Sequence, residues 1–382
     1  MIYNDFKGEK LSALGMGCMR FPCNENGQID KIKLAEMVEA AIAGGVNYFD
    51  TAYGYHKGQS ESAIGEALSK YPRESFYLAS KFPGFNDDHL GRVKEIFEEQ
   101  LRRCGVEYFD FYLFHSVTES NIDGYLDPKY GVYDYLVEQK RLGRIRHLGF
   151  STHGSLTTME RFIDAYGDEL EFCQIQLNWL DWSFENARAK VKLLSDRGIP
   201  VWVMEPVRGG KLCNLSDEHR KRLSVYSDRT LAEWAFRFVQ SVPEVKMTLS
   251  GMSNMDQILE NIETYRESKP LGESEKNELF AIAKEMTGNG TLPCTACRYC
   301  TEKCPLGIDI PWIIEVYNEN VYDGGEFEEP SAFKIIADSK KPSACLGCHA
   351  CERVCPQHLE IAAMMKDFVK RANEAKKILK LI

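Results

Sequence analysis

Short apolar runs and stretches of helical spacing take turns along the first two thirds of the chain. The apolar runs at 46–49, 76–80, 109–114, 145–150, 172–176, 200–204 and 245–249 have the length of strands buried on both faces. Helical patterns near 31–44, 60–69, 88–103, 131–142, 156–165, 184–197, 228–240 and 255–265 lie between and around them. In the first of these, Ile32, Leu34, Met37, Val38, Ala41 and Ile42 recur at helical spacing before Gly44-Gly45, which suits a helix stop. The chain start, through Leu11 to Gly17, reads as a short hairpin running into a first strand and closing the bottom of the fold. Eight strand and helix pairs predict a (β/α)8 TIM barrel. An open doubly wound sheet is the alternative, weakened because Gly15-Met16-Gly17 lacks the third glycine of a dinucleotide fingerprint.

Polar residues sit where these runs end. Asp50 closes Val46-Asn47-Tyr48-Phe49, Lys81 follows Leu78-Ala79-Ser80, and His115 follows Phe109-Asp110-Phe111-Tyr112-Leu113-Phe114. In a parallel barrel the C-terminal strand ends converge on one face, and chemistry happens there. Tyr55 follows in the loop after Asp50, with Tyr53 as the competing acid if the register differs.

Asp50, Tyr55, the segment Gly58-Gln59-Ser60-Glu61-Ser62-Ala63-Ile64-Gly65-Glu66-Ala67-Leu68, Lys81 and His115, in that order, resemble the aldo/keto reductase superfamily over about the first 265 residues. The resemblance implies reduction of a carbonyl by hydride from NAD(P)H, with Tyr55 as proton donor. A tyrosine of ordinary pKa near 10 is a weak acid for this task. Lys81 is expected to bring the Tyr55 pKa towards working pH, Asp50 to hold Lys81 charged, and His115 to orient the carbonyl.

The same resemblance places the nicotinamide carboxamide at Ser151 with Thr152 or His153, and at Gln174, with Asn178 nearby. Met204 stands where the family usually has an aromatic residue against the nicotinamide. Beyond it, Arg208-Gly209-Gly210-Lys211 suits a phosphate site, although Glu205 adds a negative charge there. The last cofactor segment starts at Ser250 and Gly251, and within it Gln257, Glu260 and Asn261 resemble the adenosine-end positions. Gly251 and Gln257 occupy the places of the basic residues that grip a 2′-phosphate, which favours NADH over NADPH.

The composition changes near Ser268-Lys269-Pro270. We expect a barrel over 1–270, a linker over 271–290 and a second, mostly helical domain over 291–382. That domain carries Cys294-x-x-Cys297-x-x-Cys300-x-x-x-Cys304-Pro305 and again Cys345-x-x-Cys348-x-x-Cys351-x-x-x-Cys355-Pro356. Each is a ferredoxin run for a [4Fe-4S] cluster, and in two-cluster proteins the fourth cysteine ligates the other cluster. One cluster is therefore assigned to Cys294, Cys297, Cys300 and Cys355, and the other to Cys345, Cys348, Cys351 and Cys304. Zinc is the alternative for paired C-x-x-C units, but it would leave other cysteines idle. The linker between the runs includes a helical pattern, Ile310 to Tyr317, as in the helical dicluster modules of multi-subunit redox enzymes. The other five cysteines, Cys18, Cys23, Cys104, Cys173 and Cys213, read mostly as small core residues.

Of the 382 residues, 57 are acidic and 47 basic, a net charge of −10 that argues against a nucleic-acid partner. No leader pattern or membrane-length apolar run is seen, and with eight of the thirteen cysteines read as metal ligands rather than disulfides a cytoplasmic location is expected. Hydride moves two electrons and a cluster accepts one, so communication between the halves would need a splitter. FMN in the loop around Arg208 to Lys211 is a candidate. The expected function is a carbonyl reductase acting on a small molecule. The alternatives are a flavoenzyme linked to an external ferredoxin or flavodoxin, and a redox-sensing or electron-transfer subunit.

Overall fold

The computed structural model describes residues 1–84, 87–119, 121–288, 290–292, 294, 299–322, 337–355 and 359–378, which fall into two compact units, Met1–Leu279 and Phe280–Ile382. In the first unit an antiparallel hairpin, β1 (Tyr3–Phe6) and β2 (Glu9–Ser12), precedes eight parallel strands. These are β3 (Leu14–Gly17), β4 (Tyr48–Asp50), β5 (Tyr77–Phe82), β6 (Phe109–Val117), β7 (Ile145–Thr152), β8 (Cys173–Gln176), β9 (Val201–Met204) and β10 (Val245–Ser250). They close in chain order, with β10 pairing β3. The expected (β/α)8 barrel is therefore the observed one.

The hairpin supplies the plug. Phe6 is buried with Tyr48, Phe111, Phe172, Trp202 and Met247, and its ring lies 5.0 Å edge-on to Trp202. Burying each such side chain contributes about 1.5–3 kcal/mol, so one turn of the hairpin does much to seal the barrel floor. Helices return each strand to the next. Helix Lys31–Ala43 begins at Asp30, whose carboxylate accepts from the Lys33 amide at 3.1 Å, and it stops at Gly44-Gly45 as its spacing predicts. Helix Ser60–Leu68 crosses helix Val93–Cys104 so closely that a Cβ on Gly65 would lie 2.3 Å from the Cys104 carbonyl oxygen.

Three features differ from the sequence expectation. The pattern at 88–103 is split, Asp87–Leu90 and then Val93–Cys104, because Gly91 and Arg92 interrupt it. Strand β6 continues past His115 to Val117 through a register shift between Phe114 and Val117, with Ser116 in the left-handed region at φ 55°. An added helix, Asp217–Ser224, buries only Leu223, so it carries no apolar period to detect.

The second unit is mostly helical. Helices Tyr299–Lys303, Ile310–Tyr322 and Ile361–Ile378 enclose a core of Ile308, Ile313, Ile314, Tyr317, Ile361, Met365 and Phe368, against which Cys294, Cys304, Cys345 and Cys355 pack. Among the described residues no helix is long and apolar enough to cross a membrane.

Candidate functional site

Strand ends bring the four expected groups together. Asp50 is the last residue of β4, Lys81 the fifth of β5, and His115 sits at the β6 register shift, where an extra residue re-aims a side chain. Tyr55 opens a short turn, Tyr55–Gly58, in which His56 and Lys57 have left-handed φ of 50° and 56°. Lys81 Nζ donates to Asp50 Oδ1 at 2.5 Å, to the Thr51 carbonyl at 2.7 Å and to the Tyr55 hydroxyl at 3.4 Å. The Tyr55 and His115 rings meet edge to face at 5.9 Å. Tyr53, the competing acid, is committed elsewhere: its hydroxyl donates to Glu99 at 3.0 Å and Arg103 covers its ring.

Lys81 and Asp50 are both fully or nearly fully enclosed. Burial alone would lower the Lys81 pKa, but Asp50 and then Tyr55 more than reverse it and hold the ammonium charged. Burial pushes the Asp50 carboxyl up, and Lys81 pulls it back. For Tyr55 the outcome differs from the sequence expectation. Burial lifts its pKa above the ordinary phenol value, and Lys81, its charge shared with Asp50, only partly offsets this. His115 is driven well below the usual imidazole value by burial, then by Lys81 and His153, so the ring is neutral at pH 7.

A network supports Lys81 from behind. Buried Glu61 accepts from Ser80 Oγ at 2.7 Å and from Gln100 Nε2 at 2.6 Å, and Gln100 Nε2 also donates to the Lys81 carbonyl at 3.1 Å. Glu61 also pairs with Arg103 at 3.3 Å. The segment from Gly58 to Leu68 thus fixes the strand that carries the lysine.

Next to the tetrad, Ser151 pairs in register with Gln174, and the buried Gln174 Oε1 has no hydrogen-bond partner among the described residues. Ser151 Oγ accepts from the Ser116 amide at 2.8 Å. Thr152 Oγ1 is used locally, donating to the Val117 carbonyl at 2.6 Å. Asn178 is a structural corner, its amide donating to Asp181 at 2.7 Å and to the Glu205 carbonyl at 2.9 Å. Met204 ends β9.

Beyond β9 and β10 lies a cavity of about 910 Å³. Gly209, Ser250, Gly251, Gln257, Glu260 and Asn261 line it, which joins a glycine of the phosphate run to the adenosine-end candidates, while Lys211 is not among its lining residues. Arg208 turns instead to the buried Asp181, with Nε 3.2 Å from both carboxylate oxygens. Sequence reasoning missed Arg20, Arg220, Arg229 and Thr230, which also line the cavity. Arg20 had a usable signal, since it lies three residues past the end of β3 on the face where strand ends converge.

In the second unit, Cys304, Cys345, Cys348 and Cys351 line one cavity, with Ile308, Ile310, Ile361 and Met365 among its other walls. This is the set expected for one cluster. Of the other set, Cys300 is buried in the core and Cys294 and Cys355 pack on it, while Cys297 lies outside the described residues.

The aldo/keto reductase family model matches residues 13–284, and a 4Fe-4S dicluster domain model matches 293–360. The chain belongs to the aldo/keto reductase family, a family of oxidoreductases, and carries a 4Fe-4S dicluster domain after its barrel. A probable aldo-keto reductase of Glycine max is 28% identical over 53% of this chain and 58% of its own length. The NADH-specific methylglyoxal reductase of Escherichia coli is 29% identical over 53% of this chain and 65% of its own. The chain thus spans less than two thirds of both relatives. The holo form of an aldo-keto reductase from Bacillus halodurans superposes with a TM-score of 0.62 at 25% identity, over 74% of this chain and 97% of that one.

Proposed function

We propose that the barrel reduces a small carbonyl compound with NADH, Tyr55 donating the proton, and that the second unit holds two [4Fe-4S] clusters. The observation that carries this reading is the buried chain Asp50, Lys81, Tyr55 beside a neutral His115. The nicotinamide, when bound, supplies the hydride. The protein's part is protonic and positional. Asp50 keeps Lys81 charged, Lys81 stabilises the tyrosinate left after proton donation, and His115 orients the carbonyl oxygen between itself and the Tyr55 hydroxyl. The raised Tyr55 pKa of the free protein keeps the phenol protonated before substrate arrives.

The residues present fit the nucleotide. Gln174 Oε1 is a buried acceptor ready for a carboxamide N–H, and its burial without a partner costs about 1–3 kcal/mol that such a donor would offset. At the far end of the cavity, Glu260 accepts from the Thr230 hydroxyl and Gln257 Oε1 accepts from the Ser253 amide at 2.7 Å. Arg229 is held by Glu275 at 2.5 Å. A carboxylate and a committed guanidinium disfavour a 2′-phosphate, which supports NADH as the coenzyme. The cysteines suit the clusters: four that line one apolar cavity would serve a thiolate-ligated cubane, with Cys304, Cys345, Cys348 and Cys351 as one set and Cys294, Cys297, Cys300 and Cys355 as the other.

The test is turnover of a panel of small aldehydes and ketones by anaerobically purified protein with NADH. Tyr55→Phe is expected to lower kcat by about 10²- to 10⁴-fold while nucleotide affinity stays within about threefold. Turnover that survives this substitution would remove Tyr55 as the proton donor.

A further inference from the structure

The cavity lined by Cys304, Cys345, Cys348 and Cys351 draws on both cysteine runs, and two cations are bonded to its walls. Lys340 lies in the turn Asp338–Lys340, just before Cys345, and crosses to the loop that follows Cys304. Its Nζ donates to the Leu306 carbonyl at 2.5 Å and to the Gly307 carbonyl at 3.2 Å, and Leu306 is itself a wall of the cavity. Gly307 has φ 57°, and a Cβ there would lie 2.9 Å from that Nζ. The missing side chain lets the ammonium settle on the loop. From the second run, Arg353 Nη1 donates to the carbonyl of Cys348 at 3.3 Å.

Neither cation is answered by an acid. Among the described residues both are bonded to backbone carbonyls and neither forms an ion pair. The neighbouring carboxylates are taken up elsewhere. Glu352, directly after Cys351, accepts from His349 Nδ1 at 2.6 Å and from the Ala362 amide at 2.7 Å, which ties its loop to helix Ile361–Ile378. Asp338 pairs with Lys341 at 2.7 Å. Positive charge is thus left against the walls that carry the four cysteines.

Charge at that place matters for electrons more than for folding. Reduction of a thiolate-ligated cluster adds one negative charge to a group that is already anionic, so a nearby cation favours the reduced form. Cys348, Lys340 and Arg353 are all exposed, and solvent therefore screens the effect and keeps it modest.

We propose that Lys340 and Arg353 set the reduction potential of the cluster assigned to Cys304, Cys345, Cys348 and Cys351, raising it by holding positive charge against the backbone of both cysteine runs. The proposal rests on the cluster reading above. One electron passes from an external reductant to the cluster, and no bond to the protein is made or broken. The two residues act through the cavity walls as outer-shell groups and are not ligands.

The experiment is an EPR-monitored redox titration of the anaerobic holoprotein with dithionite and mediators, with iron analysis of each sample, for wild type, Lys340→Met, Lys340→Arg and Arg353→Gln. Lys340→Met and Arg353→Gln are each expected to lower the same one of the two cluster potentials. At a fixed potential the ratio of reduced to oxidised cluster should fall about threefold to tenfold, tenfold being about 59 mV for one electron. Lys340→Arg should stay within about twofold of wild type, because the charge is kept. At about 1 M salt, where the screening length is about 3 Å, the differences should shrink. Should Lys340→Met lose iron by loosening the loop after Cys304, Arg353→Gln carries the test. Unchanged potentials in Arg353→Gln, a fall that Lys340→Arg shares, or a fall that salt leaves intact would each overturn the proposal. A wild type without iron or without a cluster signal on reduction would overturn the cluster reading itself.

Discussion

The barrel site and the cysteine-lined cavity solve opposite problems. In the barrel, the chemistry-bearing side chains hold one another: Asp50 and Lys81 at 2.5 Å, Lys81 and Tyr55 at 3.4 Å, with Glu61, Ser80 and Gln100 behind them. In the second unit, Cys304, Cys345, Cys348 and Cys351 face a cavity whose remaining walls are largely Leu, Ile and Met. The first site is organised by the fold. On the reading proposed above, the second would be organised around what it is to hold, and metal ligation there would contribute to folding itself. A fold-organised site should tolerate loss of its ligand, and a ligand-organised one should not.

Removing metal from the second unit should have the largest effect. Cys348→Ala is expected to lower the iron content from about eight to about four atoms per chain and to abolish cooperative melting of residues 280–382, while the barrel keeps its own transition. Iron analysis and calorimetry on the same sample check this. Unchanged iron would break the ligand assignment, and loss of both transitions would break the contrast.

Within the barrel, Lys81→Met tests how much the fold invests in its site. It leaves the Asp50 carboxylate buried without its cation, and breaking such a pair costs about 3–5 kcal/mol. Denaturant melts should show that loss, and Asp50→Asn in the same background should recover part of it, because the uncompensated charge is then gone.

The smallest effect concerns the barrel floor, away from the chemistry. Burial alone would raise the Glu171 pKa, but hydrogen bonds from His147, Lys7 and Lys140 bring it down to about 2. The folded value lies below the unfolded one, so the stabilisation is fully present above about pH 4.5 and is lost as pH falls towards about 2. Its size is at most about 3 kcal/mol. Melts of Glu171→Gln and wild type should therefore converge as pH drops through that window.

Legibility in the sequence followed the same divide. The 4Fe-4S dicluster domain was readable because its cysteine runs have local spacing, and helix Ile310–Tyr322 because its apolar residues repeat. Asp50, Lys81 and His115 were readable because each ends an apolar run whose strand must be buried. What stayed hidden depends on closure of the barrel. Arg20 and Glu205 are distant in sequence and meet only when β3 and β9 flank β10. The direction of the Tyr55 pKa depends on burial, which no linear pattern of its loop reports. Arg208, assigned to phosphate by its glycine neighbours, turns to Asp181, a residue whose burial the sequence does not announce.

The most direct measurement is low-temperature EPR of the anaerobic holoprotein before and after one equivalent of NADH, with no carbonyl present. A barrel that passes a hydride as a pair from nucleotide to carbonyl has no acceptor in that sample, and the account predicts bound NADH with unchanged cluster spectra. A reduced-cluster signal on addition of NADH alone would contradict it, because the pair would then have been divided within the protein and carbonyl reduction would not be the barrel's whole chemistry.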